Sequence, residues 1–147
     1  MKNPSFAALV LASALSFFPD IAFAQTGPDG LTDIQVAKFL ATLQEALRAG
    51  EPKEVAKLMA FPVAVSTPTV STRITDGSAF LQNYKLMFTE SVRNAVYAQK
   101  TDTLTRSAKG VMIGSGEVWF AGVCVDNKCS STRIGVIAVN VLPAKRK

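Results

Sequence analysis

Apolar residues recur along this chain with three different spacings, and each spacing predicts a different element. Phe6 to Phe18 is a near-continuous apolar run behind Met1-Lys2-Asn3, broken by Pro19-Asp20 and followed by small residues in Ala22-Phe23-Ala24. A membrane helix needs about 20 apolar residues, so the run reads as a removable export signal over 1–24, with the mature chain starting at Gln25. No Cys follows the small residues, which argues against lipoprotein processing. Gln25 to Leu31, with Gly27, Pro28 and Gly30, reads as a flexible leader. A spacing of three and four then begins. Thr32-Asp33-Ile34-Gln35 matches a capping box. Val36, Phe39, Leu40, Leu43 and Leu47 line one helical face up to Gly50, a left-handed stop. Pro52 restarts a short helix with Val55, Leu58 and Met59, expected to end near Ala60.

Beyond that point alternation by two takes over, with one helical interruption. Phe61-Pro62-Val63-Ala64-Val65 reads as a strand followed by a bend at Thr67-Pro68, and Val70, Thr72 and Ile74 alternate with polar residues as in a half-buried strand. Asp76 or Ser78 caps a helix on which Phe80, Tyr84 and Phe88 are spaced by four, and Thr89 caps a further turn or two carrying Val92 and Val96. The remainder is β-like: 102–106, 110–113, 117–123 and 130–141. Gly114-Ser115-Gly116 and Asp126-Asn127 supply hairpin turns. Helices first and hairpins last predict an α+β domain over 32–142, with N-terminal helices packed on a curved antiparallel β-sheet. The basic tail is 143–147.

Composition narrows this picture. Removing 1–24 from the 147 residues leaves about 123, room for one domain, and a 48% hydrophobic content supplies a core rather than a disordered chain. The net charge of +5 suits acidic partners or a dispersed solubilising surface. Basic residues are not interleaved with aromatics, so nucleic acid is not an expected partner. Cys124 and Cys129 flank Val125-Asp126-Asn127-Lys128. A two-residue turn at Asp126-Asn127 would set them opposite one another at a non-hydrogen-bonded pair, within disulfide reach, and an oxidising compartment favours that bond. The C-x4-C spacing is not that of a thiol oxidoreductase.

The chain has no His, which removes Ser-His-Asp and Cys-His nucleophilic machinery and the commonest metal ligand. Asp29 and Asp33 are close in sequence, but a flexible leader is a poor place for rigid ligands, and no metal site or cofactor is expected. Gly110, Gly114 and Gly116 neither end in Lys-Ser/Thr nor open a helix, so they read as a turn rather than a phosphate loop.

The two opening helices, Phe61-Pro62 at the first strand, the Asp76 to Phe88 segment, and Gly110 through Phe120 together resemble the nuclear transport factor 2-like superfamily. This is the ketosteroid isomerase-like cone fold that also includes scytalone dehydratase and exported members of unassigned activity. The resemblance implies a pocket between helices and sheet, and a homodimer formed sheet against sheet. Phe80, Tyr84, Phe88, Trp119 and Arg133 are then the ligand-binding candidates, with Glu117 and Tyr84 as candidate catalytic groups. Glu117 and Trp119 share a side of their strand, so an inward Trp119 brings Glu117 with it, as a desolvated base or as the partner of Arg133. The alternative is that Trp119 and Tyr84 are core aromatics and Glu117 and Arg133 a cross-strand surface pair.

The leading expectation is a periplasmic or secreted, non-enzymatic binding module. It would engage a small apolar ligand or an envelope protein through the cone pocket or an exposed sheet, without a stable membrane anchor. Two alternatives stand beside it: a small-molecule isomerase, dehydratase or hydrolase using Glu117 and Tyr84, and an envelope inhibitor or immunity-type protein acting through the disulfide-pinned hairpin.

Overall fold

The computed structural model describes residues 25–143; the expected signal 1–24 and residues 144–147 of the basic tail lie outside them. Helix α1 (Asp33–Ala49) starts on the predicted capping box. The Gln35 N–H donates to the Thr32 hydroxyl at 3.2 Å, and the Thr32 N–H donates to the Gln35 side chain at 2.9 Å. Gly50, at φ 68°, ends it, and Val36, Phe39, Leu40, Leu43 and Leu47 form its buried face. Helix α2 (Pro52–Lys57) is shorter than its apolar stripe predicts. Met59 already pairs with Val136 in the sheet, and Pro62 biases the chain before it toward extended backbone, so the strand starts before Ala60.

Strand β1 (Met59–Ser66) turns at Thr67-Pro68 into β2 (Ser71–Ile74). The predicted alternation in β2 buries only Ile74; Val70, 56% exposed, belongs to the turn. Asp76 caps α3 (Gly77–Met87), accepting the Ala79 N–H at 2.9 Å. The expected break falls at Phe88-Thr89, after which Thr89 caps α4 (Glu90–Ala98) through the Val92 N–H. The segment expected to be a strand over 102–106 is instead a single 3-10 turn, Thr101–Thr103, followed by a short β3 (Thr105–Ser107). Strands β4 (Gly110–Ile113), β5 (Val118–Cys124) and β6 (Thr132–Asn140) complete the chain.

The sheet runs β2-β1-β6-β5-β4-β3. It is mixed rather than antiparallel throughout, because β1 and β6 pair in parallel. The α3–α4 segment carries the chain across to the far edge, and three antiparallel steps from β3 bring β6 back beside β1, a crossover that permits a parallel pair. Register shifts between Met59 and Ala64 and between Trp119 and Phe120 interrupt the ladders.

Alternation divides the sheet into two unlike faces. Met59, Val63, Val65, Val111, Ile113, Val118, Phe120, Val136 and Val139 point toward the helices. They form one buried cluster with Phe39, Phe80, Met87, Phe88, Val92 and Val96. Phe39 and Phe120, with ring centroids 4.7 Å apart, join α1 to β5 at its centre.

Candidate functional site

Spacing by four does bring Phe80, Tyr84 and Phe88 together. Phe80 lies edge-on to Phe61, Tyr84 and Phe88 at centroid distances of 6.2, 5.8 and 6.1 Å, and Tyr84 stacks on Phe88 at 5.5 Å. Phe80 and Phe88 are fully buried. They fill the space between α3 and the sheet where the resemblance implies a ligand, and in this arrangement they act as core. Tyr84 is half-buried at the margin of the cluster, and burial holds its phenol above the ordinary tyrosine range.

Trp119 sits on the other face. Its neighbours Val118 and Phe120 point toward the helices, so Trp119 points away from them and away from Tyr84. Cross-strand register sets it in one row spanning the whole sheet: Arg73, Ala64, Ala138, Trp119, Met112, Thr105. The parallel row on one side holds Ala121 and Gly135, and beyond it stand Val123 and Arg133. Ala64, Met112, Trp119, Ala121, Val123 and Ala138 are all half-buried, whereas Arg73 and Arg133 are exposed. The centre of the face is thus apolar and small-residue floored, with Trp119 and Met112 rising from it and an arginine at two of its margins.

Glu117 is occupied locally. Its carboxylate accepts the Ser115 N–H at 2.5 Å across the β4–β5 turn, while its backbone carbonyl accepts the Asn140 N–H at 2.7 Å. Gly114, at φ 65°, lies so close to this carboxylate that a Cβ there would collide with it. Gln99 accepts the Gly114 N–H at 2.7 Å, and the Asn140 side chain donates to the Gly116 carbonyl at 2.7 Å. Glu117 therefore closes a turn. Arg133 lies opposite Val123, at the far end of the β5–β6 ladder, and donates to the Met59 carbonyl at 2.9 Å. About six residues at ~3.3 Å each separate the two side chains along the strands, so the expected Glu117–Arg133 cross-strand pair does not form.

The cysteines are joined, but not through the expected turn. A two-residue type I′ hairpin needs positive φ at both central residues, and among the described non-glycine residues only Cys129, at φ 52°, has it. Cys124 pairs across the ladder with Thr132, so the loop spans 125–131. The Asp126 carboxylate organises that loop by accepting the Lys128 N–H at 2.9 Å, the Ser130 N–H at 3.1 Å and the Ser130 hydroxyl. These bonds hold its carboxyl below the usual range, the Ser130 hydroxyl bond first. Cys129 is thereby turned back toward Cys124, with 4.7 Å between Cα atoms.

Sequence reasoning missed the strongest charge constellation. Residues 25–31 are not a loose leader. Thr26 bridges Thr32, the Gly27 N–H donates to the Leu31 carbonyl at 2.8 Å, and Leu31 is buried. Arg106 holds this turn with a two-pronged grip on Asp29, Nε and Nη2 each 2.6 Å from a carboxylate oxygen. It also donates to the Leu31 carbonyl and to Asp33, each at 2.5 Å. The Asp29 side chain is completely buried. Hydrogen bonding to the guanidinium holds its carboxyl below the usual range, and the same bond raises the arginine. Gly27 lies so close that a Cβ would run into the guanidinium. The available signal was parity: Arg106 stands opposite Val111 on the helix-facing side of a short edge strand, where an arginine requires a carboxylate.

Beside this clasp is a cleft of about 410 Å³ lined by Asp33, Val36, Thr101, Asp102, Leu104 and Arg106. Its only cation is already engaged with Asp29 and Asp33. Among the described residues no group of three or more His, Cys, Asp or Glu side chains is placed to hold a metal ion. No helix among them is long and apolar enough to cross a membrane. No protein-family model, no curated protein and no solved structure matches this chain.

Proposed function

We propose that this chain is an exported, non-enzymatic binding module of the nuclear transport factor 2-like type that docks a partner on the face of its sheet turned away from the helices. The observation that carries this reading is the row Arg73-Ala64-Ala138-Trp119-Met112. A large indole with small and apolar neighbours, on a face that none of the described helices covers, is the composition of a binding patch, since aromatic and Arg side chains dominate the energetics of such contacts. The Cys124–Cys129 pair suits an oxidising compartment. A binding role is favoured over catalysis by the separation of the two candidate groups: Glu117 is committed to the Ser115 N–H, and Tyr84 stacks on Phe88 on the helix side. Acid–base chemistry needs such groups to converge on one substrate atom.

Site-specific photocrosslinking in the producing cell tests the proposal. A photoreactive residue at Ala64 or Ala121, on the docking face, is expected to give a discrete intermolecular adduct, whereas one at Ala41 or Ala49, on the exposed side of α1, gives none. Adducts confined to the α1 positions, or none from any position, would defeat it.

A further inference from the structure

Resting on that docking face, we infer that its occupant is an acidic protein segment with an apolar centre. Register places Arg73 three strands from Trp119, about 14 Å at ~4.8 Å per strand. Arg133 stands four residues farther along, at the level of Val123. Both arginines are exposed, and among the described residues neither has a carboxylate within ion-pairing distance. Glu117, which shares the strand side of Trp119, is folded back onto its own turn. The face therefore carries two uncompensated guanidiniums around an indole, a thioether and a floor of alanine and glycine. Carboxylates pair with guanidiniums in two-pronged geometry, and an apolar side chain would complete the contact against Trp119 and Met112.

Two other occupants fit less well. A second copy docked by a two-fold axis repeats the same patch on both sides, so four arginines would enter an interface without carboxylates. The patch is also small: four strands by about five residues is roughly 300 Å², below the ~800 Å² per partner of a stable dimer. A membrane surface is met by protruding apolar side chains, yet Trp119 is only half-exposed, and the most exposed large apolar residues, Ile34, Val70, Leu86 and Val125, lie off the row.

Trp119 is the only tryptophan, so its emission reports directly on the face. The oxidised full-length exported protein is titrated with a soluble, tryptophan-free peptide bearing Glu pairs on either side of a Leu-Phe centre. Parallel titrations use the same peptide with Lys for Glu, and phosphatidylglycerol vesicles. A saturable blue shift is expected with the acidic peptide and at least tenfold weaker binding with the basic one. The R73E/R133E variant should lose at least tenfold in affinity, whereas K53E/K85E, an equal charge change on exposed helix positions, should stay within twofold. R73E alone serves if the double variant fails to fold, because Arg133 also braces Met59. Equal loss in K53E/K85E, equal binding of the basic peptide, absence of any response to the acidic one, or a response to vesicles alone would overturn the inference. Crosslinks from Ala64 or Ala121 without acidic-peptide binding would sink the partner chemistry while leaving the docking face standing; loss of both would sink both.

Discussion

Arg106 shows how one side chain can convert a glycine-rich stretch into part of the fold. Its guanidinium neutralises the buried Asp29 side chain and also donates to the Leu31 carbonyl, so the turn at 26–32 is tied to β3. Removing one partner of such a pair leaves the other buried and unpaired, which typically costs about 3 kcal/mol. Arg106→Ala is therefore expected to lower the urea unfolding free energy by about that amount; a loss below about 0.5 kcal/mol would show the clasp to be a surface pair. Because the folded Asp29 carboxyl titrates below its unfolded value, its contribution is complete above the ordinary carboxylate range and disappears as pH falls through the folded-state value. Acid titration of stability should be shallower in Asp29→Asn than in the parent chain, and superimposable curves would remove Asp29 from the list of acid-sensitive groups.

At the scale of elements, local signals and long-range ones divide cleanly. The Thr32–Gln35 capping box has a local cause and a local consequence: Thr32→Ala should cost about 1 kcal/mol, measured by thermal or urea unfolding. It should cost more than that if the cap also supports the adjoining clasp through Asp33. The disulfide loop lies outside the last ladder pair, Cys124 with Thr132, and Asp126 keeps its own hydrogen bonds there. Reduction is thus expected to lower stability by about 2 kcal/mol on the loop-closure scale and to leave the β5–β6 ladder protected in amide exchange. Exchange of the whole ladder on reduction would show that the bond holds the sheet. Caps, the Gly50 stop, the Phe88-Thr89 break and β4 were legible because each is specified by residues a few positions apart. The clasp, the parallel β1–β6 pair and the wide cysteine loop were not, because they depend on Arg106 meeting Asp29, on β6 returning beside β1, and on the Asp126 side chain outcompeting a two-residue turn. Trp119 was legible as a polar-capable aromatic on the side of Glu117, but its facing could be settled only by knowing which side Phe120 buries.

For the whole molecule, the decisive feature is that one sheet separates the helix-covered core from the face on which we propose that a partner docks. Phe120 packs on Phe39 within the helix-covered core, and its neighbour Trp119 stands on the opposite side between Ala138 and Met112. Adjacent residues on β5 should therefore answer to different experiments. Phe120→Ala opens a cavity in a filled core and is expected to cost about 3–5 kcal/mol, lowering the melting temperature and, through unfolding, every binding signal. Trp119→Ala removes a half-exposed side chain. Its cost should be well under half of that, with the far-ultraviolet circular dichroism unchanged, yet it should abolish the crosslinked adduct formed from Ala64 or Ala121. The combination matters, because lost stability alone would explain a lost adduct in Phe120→Ala but not in Trp119→Ala. If Trp119→Ala destabilises the chain as much as Phe120→Ala, the indole belongs to a core, and the sheet has no free face on which a partner could dock.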